Sequence, residues 1–143
     1  RDQPRSRGLG DVYKRQRILF INDNHEVDDL EFKIFPVHCV KGTSEPDVIP
    51  ELVSFITPQN VIPKTRYSGF FNTDLEQRLA GLKPDKLIIC GVCTDICVLH
   101  TTSDARNRDY NVEIPKDCVA SYDVDAHQWA LSHASNILGA NVT

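Results

Sequence analysis

A cysteine at residue 97 stands where a predicted buried strand passes into a predicted helix. The run Lys86–Gly91 is apolar and ends in glycine, which is typical of a buried parallel strand. The segment Cys97–Asp109 has apolar and small residues at helical spacing. The dipole at a helix N-terminus lowers the pKa of a thiol, and the unpaired N–H groups there can hold an oxyanion. The pattern therefore predicts Cys97 as the nucleophile of a cysteine hydrolase.

The other cysteines have simpler interpretations. Because cysteine is among the most buried residue types, we expect Cys39, Cys90 and Cys118 to lie in the core. A thiolate metal site formed by Cys90, Cys93 and Cys97 is an alternative, but such sites usually need a second ligand pair at defined spacing. Five cysteines without a secretory signal favour a reducing compartment over a disulfide framework.

A second group of reactive side chains lies in the long irregular segment from Asp23 to Pro46. Asp23 and His25 follow the end of a predicted strand, where ligands bind in open α/β sheets, and Glu31 and His38 come later in the same segment. Imidazoles and carboxylates together suit Zn, Mn or Fe with open positions for water or substrate. The alternative is a solvated acidic loop with incidental histidines. The remaining histidines fall in predicted helices: His100, His127 and His133.

Lys64 supplies a cation at the end of another predicted strand, Asn60–Pro63. Because carboxyl ends of parallel strands meet at one edge of a sheet, Lys64 could lie beside Cys97 and stabilise its thiolate. The alternative is an ordinary solvated lysine.

Strand and helix patterns alternate along the rest of the chain. Strands are predicted at 17–22, 60–63, 86–91, 111–114 and 140–142. Helices are predicted at 47–56, 73–82, 97–109 and 123–138. This alternation predicts a three-layer α/β/α domain with a mostly parallel sheet.

Length and charge limit the function further. A chain of 143 residues is one domain long, and its net charge of −4 with no basic stripe argues against nucleic acid as a partner. No apolar run approaches a membrane span, so a soluble, cytoplasmic protein is expected.

The first sixteen residues differ from the rest of the chain. They carry five Arg or Lys and almost no apolar periodicity, whereas a strand pattern begins abruptly at Arg17. We expect residues 17–143 to form the domain and residues 1–16 to be either a flexible N-terminus or a leader foreign to the domain.

Three motifs together resemble the isochorismatase-like cysteine hydrolases and, within them, the nicotinamidases. The resemblance runs from about Ile18 to Val142. Its most specific parts are Gly-Val-Cys-Thr-Asp-Ile-Cys-Val (91–98), Pro-Lys-Thr-Arg-Tyr-Ser-Gly-Phe (63–70) and the Asn-Asp-Asn-His to Lys-Gly-Thr segment (22–43).

The resemblance implies a role for each motif. Cys97 would be the nucleophile, Lys64 its cationic partner, and the backbone N–H groups of Cys93 and Cys97 the oxyanion hole. The Val92–Cys93 peptide bond would be the family's non-proline cis bond. Tyr67 and Phe70 would line the substrate pocket.

The resemblance also implies a cofactor and a reaction. The metal ligands would be Asp23, His25, Glu31 and His38, holding a divalent ion that takes waters and the substrate's pyridine nitrogen. The substrate would be a small amide, nicotinamide, hydrolysed through a thioester to nicotinate and ammonia. Open alternatives are a metal-free relative acting on another amide or a vinyl ether, and an inactive domain of this fold. A homo-oligomer is also possible.

One family feature has no counterpart. In the family, a central first strand ends in an Asp-x-Gln-x-Asp-Phe pattern whose Asp is the general acid/base. Asp2 and Asp11 follow no buried strand and are not assigned this role. We therefore expect the chain to lack its first central strand, to be poorly stable and to be inactive as written.

Overall fold

The computed structural model describes residues 16–143, so the predicted leader lies outside the described residues apart from Gln16. The strands are β1 (Phe20–Asp23), β2 (Val61–Lys64), β3 (Leu87–Ile88), β4 (Gly91–Val92), β5 (Val112–Ile114), β6 (Val119–Ala120) and β7 (Asn141–Val142). The α-helices are α1 (Leu75–Leu82), α2 (Leu99–Asn107) and α3 (Val124–Asn136). None of the described helices combines the length and apolar character needed to cross a membrane. The alternation confirms the predicted α/β class.

Every strand pair in the described part of the chain is parallel. β1 pairs with β2, β5 lies between β3 and β7, and β4 pairs with β6, giving three small sheets. Parallel strands joined by helical crossovers bury both faces, so their apolar runs are nearly continuous. Within residues 16–143 no strand joins β1 to β3.

The core forms where the helices cover the strands. Ile62 of β2 and Ile114 of β5 are each 1% exposed, and Ala105 of α2 is fully buried. Helix α3 contributes Ala130 and Ala134, whose small side chains let it pack closely on the sheet. Its first turn is fixed by Asp123, whose carboxylate accepts a hydrogen bond from the Ala126 N–H at 2.8 Å.

Two predicted elements differ from the structure. Residues 47–56 do not form an α-helix; they contain a 3-10 turn, Pro50–Phe55, that buries none of its residues. Helices in proteins are stabilised mainly by burying an apolar face, and this segment buries none. The predicted strand 86–91 is divided into β3 and β4, which pair with different strands, β5 and β6. Gly91, the first residue of β4, has a φ of +125°, which side chains disfavour. Strand β6 could not be predicted from the sequence, because a strand of two residues is too short to show an alternating pattern of apolar and polar residues.

The expectation that three cysteines lie in the core is wrong for two of them. Cys90 and Cys118 are exposed, and Cys39 is half-buried. Side chains at alternate positions share one face of a strand. Ile88, two residues before Cys90, is 52% exposed, so the described elements leave this face of β3 and β4 uncovered.

Candidate active site

Two charged side chains meet where β1 and β2 end. The register pairs Asp23, the last residue of β1, with Lys64, the last residue of β2. Parallel pairing sends both strands toward the same edge, which is where ligands bind in open α/β sheets. β4 ends at Val92 and leads into the turn that carries Cys97.

Lys64 connects the cysteine to the acidic group at the end of β1. Its ammonium donates to the Cys97 sulfur at 3.3 Å, to the Arg66 carbonyl at 2.8 Å and to the Asp23 carboxylate. The residue is 5% exposed, so it is a buried ammonium and not a solvated lysine. Burial works to lower the pKa of Lys64, but the negative charges of Cys97 and Asp23 outweigh it and the pKa is raised. Lys64 therefore stays protonated beside the sulfur.

The position of Cys97 in its helix differs from the prediction. The helical segment begins earlier, with a π-helical turn at Thr94–Val98 that continues into α2. Burial raises the pKa of the Cys97 thiol, and the opposing effect of Lys64 is smaller. The expected lowering of this pKa is therefore wrong, because a sequence pattern reports the helix terminus but not the depth at which the sulfur lies. Cys97 needs a proton acceptor, and Lys64 stabilises the thiolate once it has formed.

Replacing Lys64 with methionine should make the Cys97 thiolate harder to form. The variant removes the cation at 3.3 Å while keeping an unbranched apolar side chain. Because a neighbouring opposite charge shifts a pKa by about 1 to 3 units, the pH midpoint of Cys97 alkylation should rise by about that much. Peptide-resolved alkylation with iodoacetamide measures it, and Lys41→Met, which removes an exposed ion pair with Glu26, is the control. An unchanged midpoint would show that the ammonium does not act on the sulfur.

The turn before Cys97 is held by backbone hydrogen bonds and by a side-chain contact with His127. The Val92–Cys93 peptide bond is cis, as the resemblance implied. The Cys93 carbonyl accepts from the N–H groups of Ile96 and Val98 at 3.1 and 3.2 Å. Thr94 is 2% exposed, and its hydroxyl is 2.8 Å from Nδ1 of His127. These hydrogen bonds fix the shape of the turn, and the oxyanion-hole role of Cys93 and Cys97 stays a prediction.

The side chains predicted as metal ligands converge on one point. Ligand atoms of Asp23, His25 and His38 all lie within 4.8 Å of one another, the group in the described residues best placed to hold an ion. Glu31 lies beside this triad, with Oε2 at 3.3 Å from His25 Nε2 and 3.6 Å from His38 Nε2. The alternative thiolate cluster of Cys90, Cys93 and Cys97 is not among such groups in residues 16–143.

Two buried atoms fit a divalent cation. His25 is fully buried, and its Nε2 has no hydrogen-bond partner; the same holds for Oε1 of the buried Glu31. Unpaired buried polar atoms are costly and rare in folded proteins. Imidazole nitrogen and carboxylate oxygen are the donors that Zn²⁺, Mn²⁺ and Fe²⁺ accept. Asp23, His25, Glu31 and His38 would therefore hold such an ion.

Sequence reasoning missed Asp29, which fixes the orientation of His25. One Asp29 oxygen lies 3.0 Å from His25 Nδ1, and the other accepts from the Glu31 N–H at 2.9 Å and from Arg66 at 2.8 Å. The Glu31 N–H first, and then His25, lower the pKa of Asp29 to about 2. An anion at Nδ1 keeps the proton there and leaves Nε2 bare, as in carboxylate–histidine–metal sites. No periodicity marks this residue, because it lies in an irregular segment.

Asp29→Asn should destabilise the fold in a pH-dependent way. The pKa falls from an ordinary 3.8 to about 2 on folding, so the stabilisation is complete above the higher value and is lost as the pH falls toward 2. The shift corresponds to a loss on the order of 2 kcal/mol at pH 7. Urea unfolding at several pH values measures it. Asp74→Asn, in an exposed pair with Arg78, should cost under about 1 kcal/mol. An equal loss at pH 7 and pH 2 would contradict the assignment.

The two residues implied to line the substrate pocket lie in different surroundings. Tyr67 is half-buried, with its ring 5.8 Å from Phe35 and 5.3 Å from His100. Phe70 belongs to the hydrophobic core, and the guanidinium of Arg108 lies 4.5 Å from its ring centre. Their pocket role stays a prediction.

Comparison with known proteins agrees with this geometry. The Isochorismatase domain family matches residues 5–143. The chain is 41% identical over 134 residues to the uncharacterized isochorismatase family protein PncA of Bacillus subtilis (strain 168), covering 87% of this chain and 73% of the relative.

Two solved structures are also similar. The crystal structure of nicotinamidase PncA from Bacillus subtilis has a TM-score of 0.84 and 36% identity, covering 96% of this chain and 80% of that one. The pyrazinamidase of Pyrococcus horikoshii in complex with zinc has a TM-score of 0.79 and 25% identity, covering 98% and 83%. With the family match over almost the whole chain, these likenesses show that the chain belongs to the isochorismatase family of hydrolases.

Proposed function

We propose that this domain is a nicotinamidase, a cysteine amidohydrolase that converts nicotinamide and water to nicotinate and ammonia. The observation that carries the proposal is the position of the Lys64 ammonium, which contacts the Cys97 sulfur and the Asp23 carboxylate at once. It joins a nucleophile to a candidate metal site at one edge of the sheet. The similar Bacillus subtilis structure, a nicotinamidase, supports this choice of substrate.

The reaction follows from the charges at the site. The Cys97 sulfur passes its proton to a general acid/base and attacks the amide carbonyl, which gives a tetrahedral oxyanion. Backbone N–H groups of Cys93 and Cys97 hold this oxygen, while Lys64 keeps the sulfur anionic until it attacks. The C–N bond breaks as the general acid/base returns this proton to the nitrogen, which leaves as ammonia. Water then hydrolyses the thioester and releases nicotinate.

The metal ligands are proposed to orient the substrate ring. Asp23, His25, Glu31 and His38 would hold a divalent ion, which would supply a Lewis acid for the pyridine nitrogen. The similar Pyrococcus horikoshii pyrazinamidase is in complex with zinc, which supports a divalent metal in this domain without fixing its identity. Nicotinamide and benzamide differ only in this ring nitrogen, so benzamide is the matched substrate that tests the role.

A general acid/base is the remaining requirement. In the described residues the carboxylate paired with Lys64 is Asp23, which is also a candidate metal ligand. We therefore define the strand-completed chain, in which residues 1–16 are replaced by an apolar strand ending in the family's Asp-x-Gln-x-Asp-Phe pattern. It should place a second carboxylate beside Lys64.

Ammonia release measures the proposal directly. We expect the strand-completed chain with bound metal to hydrolyse nicotinamide and to act on benzamide at least 10-fold more slowly, about 1.4 kcal/mol of discrimination. The chain 1–143 should release no ammonia above background. Absence of stoichiometric metal, or equal rates on both amides, would instead favour a metal-free relative acting on another small amide or vinyl ether.

A further inference from the structure

Two exposed cysteines immediately precede two neighbouring parallel strands, one of which, β4, leads into the active-site turn. β4 and β6 are parallel, with Gly91 opposite Val119 and Val92 opposite Ala120. The same register, continued back by one residue, places Cys90 opposite Cys118. Both residues are exposed, so the pair lies at a surface of the described structure.

The distance between the two residues suits a disulfide. Neighbouring strands lie about 4.8 Å apart, which falls within the range of about 4.4 to 6.8 Å between the Cα atoms of bonded cysteines. Cys118 ends the 3-10 turn Lys116–Cys118 where β6 begins, and Cys90 comes directly before β4. Partial burial raises the pKa of Cys90, and the neighbouring Cys118 raises it further, as expected for two thiols that lie close together.

We propose that Cys90 and Cys118 are a thiol redox pair that a small-molecule disulfide, such as oxidised glutathione, converts reversibly into an intramolecular disulfide. Disulfides in reducing compartments are usually transient and redox-sensing, which fits an exposed pair. The proposal depends only on strand register and exposure. It is independent of the proposed amidase activity and is tested separately.

The exchange balances in two steps. The thiolate of one cysteine attacks a sulfur of oxidised glutathione, whose S–S bond breaks and releases one glutathione thiolate. The second cysteine, as thiolate, then attacks the protein sulfur of this mixed disulfide and displaces the other glutathione. The two protons lost by the cysteines end on the two glutathione thiolates, so the protein is oxidised by two electrons and the glutathione disulfide is reduced.

The position of the pair gives the bond a structural consequence. Cys90 is two residues before Val92, where β4 ends and the turn carrying Cys93 and Cys97 begins. A disulfide would tie β4 to β6 just before this turn. Cys93 and Cys97 are themselves half-buried, so the exposed pair should react first.

Thiol mapping of the chain 1–143 tests the proposal. The reduced protein is equilibrated with mixtures of oxidised and reduced glutathione, and the remaining thiols are then alkylated and the peptides mapped without reduction. We expect the five free thiols to fall to three, with Cys90 and Cys118 in one linked peptide pair, and full recovery on reduction. The Cys118→Ser variant should instead carry one glutathione on Cys90, and Cys39→Ser should form the link as the unaltered protein does.

Other outcomes overturn the proposal. They are five thiols remaining at every glutathione ratio, a link between Cys93 and Cys97, or the same mixture of links in urea as in the folded protein. Each of these outcomes would be observed with the unaltered chain, so the test does not depend on whether a variant folds.

Discussion

Replacing Cys97 with alanine in the strand-completed chain should abolish ammonia release from nicotinamide, with kcat falling by roughly 10⁴-fold or more. The substitution removes the atom that attacks the amide. The other atoms that accept hydrogen bonds from the Lys64 ammonium are a carboxylate oxygen of Asp23 and the Arg66 carbonyl oxygen, and neither replaces a thiolate as the nucleophile. The loss should appear in kcat, because the sulfur acts on the bond being broken and contributes little to ground-state binding.

The matched control for this prediction is Cys118→Ala under reducing conditions. Cys118 is exposed and precedes β6, and the Lys64 ammonium donates to Asp23, Arg66 and Cys97 instead, so kcat should stay within about 2-fold of the unaltered value. Far-UV circular dichroism and metal content should match in both variants, which separates loss of chemistry from loss of fold. Undiminished ammonia release by Cys97→Ala would reject the cysteine mechanism.

The second large effect is expected at the metal site. His25→Ala should lower the affinity for Zn²⁺ or Mn²⁺ by more than the 10- to 100-fold typical of outer-shell substitutions, because it removes a ligand. His25 Nε2 is the buried nitrogen without a hydrogen-bond partner, and the Asp29 carboxylate already holds the other ring nitrogen. Competition with a chromogenic chelator gives the affinity, and elemental analysis after dialysis gives the stoichiometry.

The control for the metal prediction is a histidine outside the site. His133 lies on α3 and stacks on Trp129 with ring centres 4.8 Å apart, so His133→Ala should leave metal affinity unchanged. Because His25→Ala also removes the imidazole beside the buried Asp29 and Glu31 carboxylates, His25→Gln serves as the milder variant. Stoichiometric metal in both His25 variants at unchanged affinity would contradict the ligand assignment.

Much of the site could be predicted from the sequence because it depends on strand ends. A glycine or a polar residue directly after an apolar run indicates where a parallel strand ends. The carboxyl ends of parallel strands lie at one edge of the sheet, where ligands bind. Asp23, Lys64 and the turn before Cys97 were identified in this way, and the structure brings them into contact. The family resemblance added the cis bond at Val92–Cys93, which no periodicity could indicate.

The features that could not be predicted depend on tertiary burial. The pKa of Cys97 is raised because the sulfur is buried, whereas the sequence reports only its place near a helix start. The segment at Pro50–Phe55 has the composition of a helix but no face that packs against the rest of the described chain. Asp29 lies four residues after His25 in an irregular segment. A spacing of four residues predicts a side-chain contact only within a helix, so this contact could not be predicted.

Acid-quench mass spectrometry of the strand-completed chain during turnover tests the central claim most directly. If Cys97 attacks nicotinamide while Lys64 stabilises its charge, a nicotinoyl group should be found on the peptide containing Cys97. It should disappear in Cys97→Ala and diminish in Lys64→Met. Turnover with the acyl group on another residue, or ammonia release that persists without Cys97, would contradict the account.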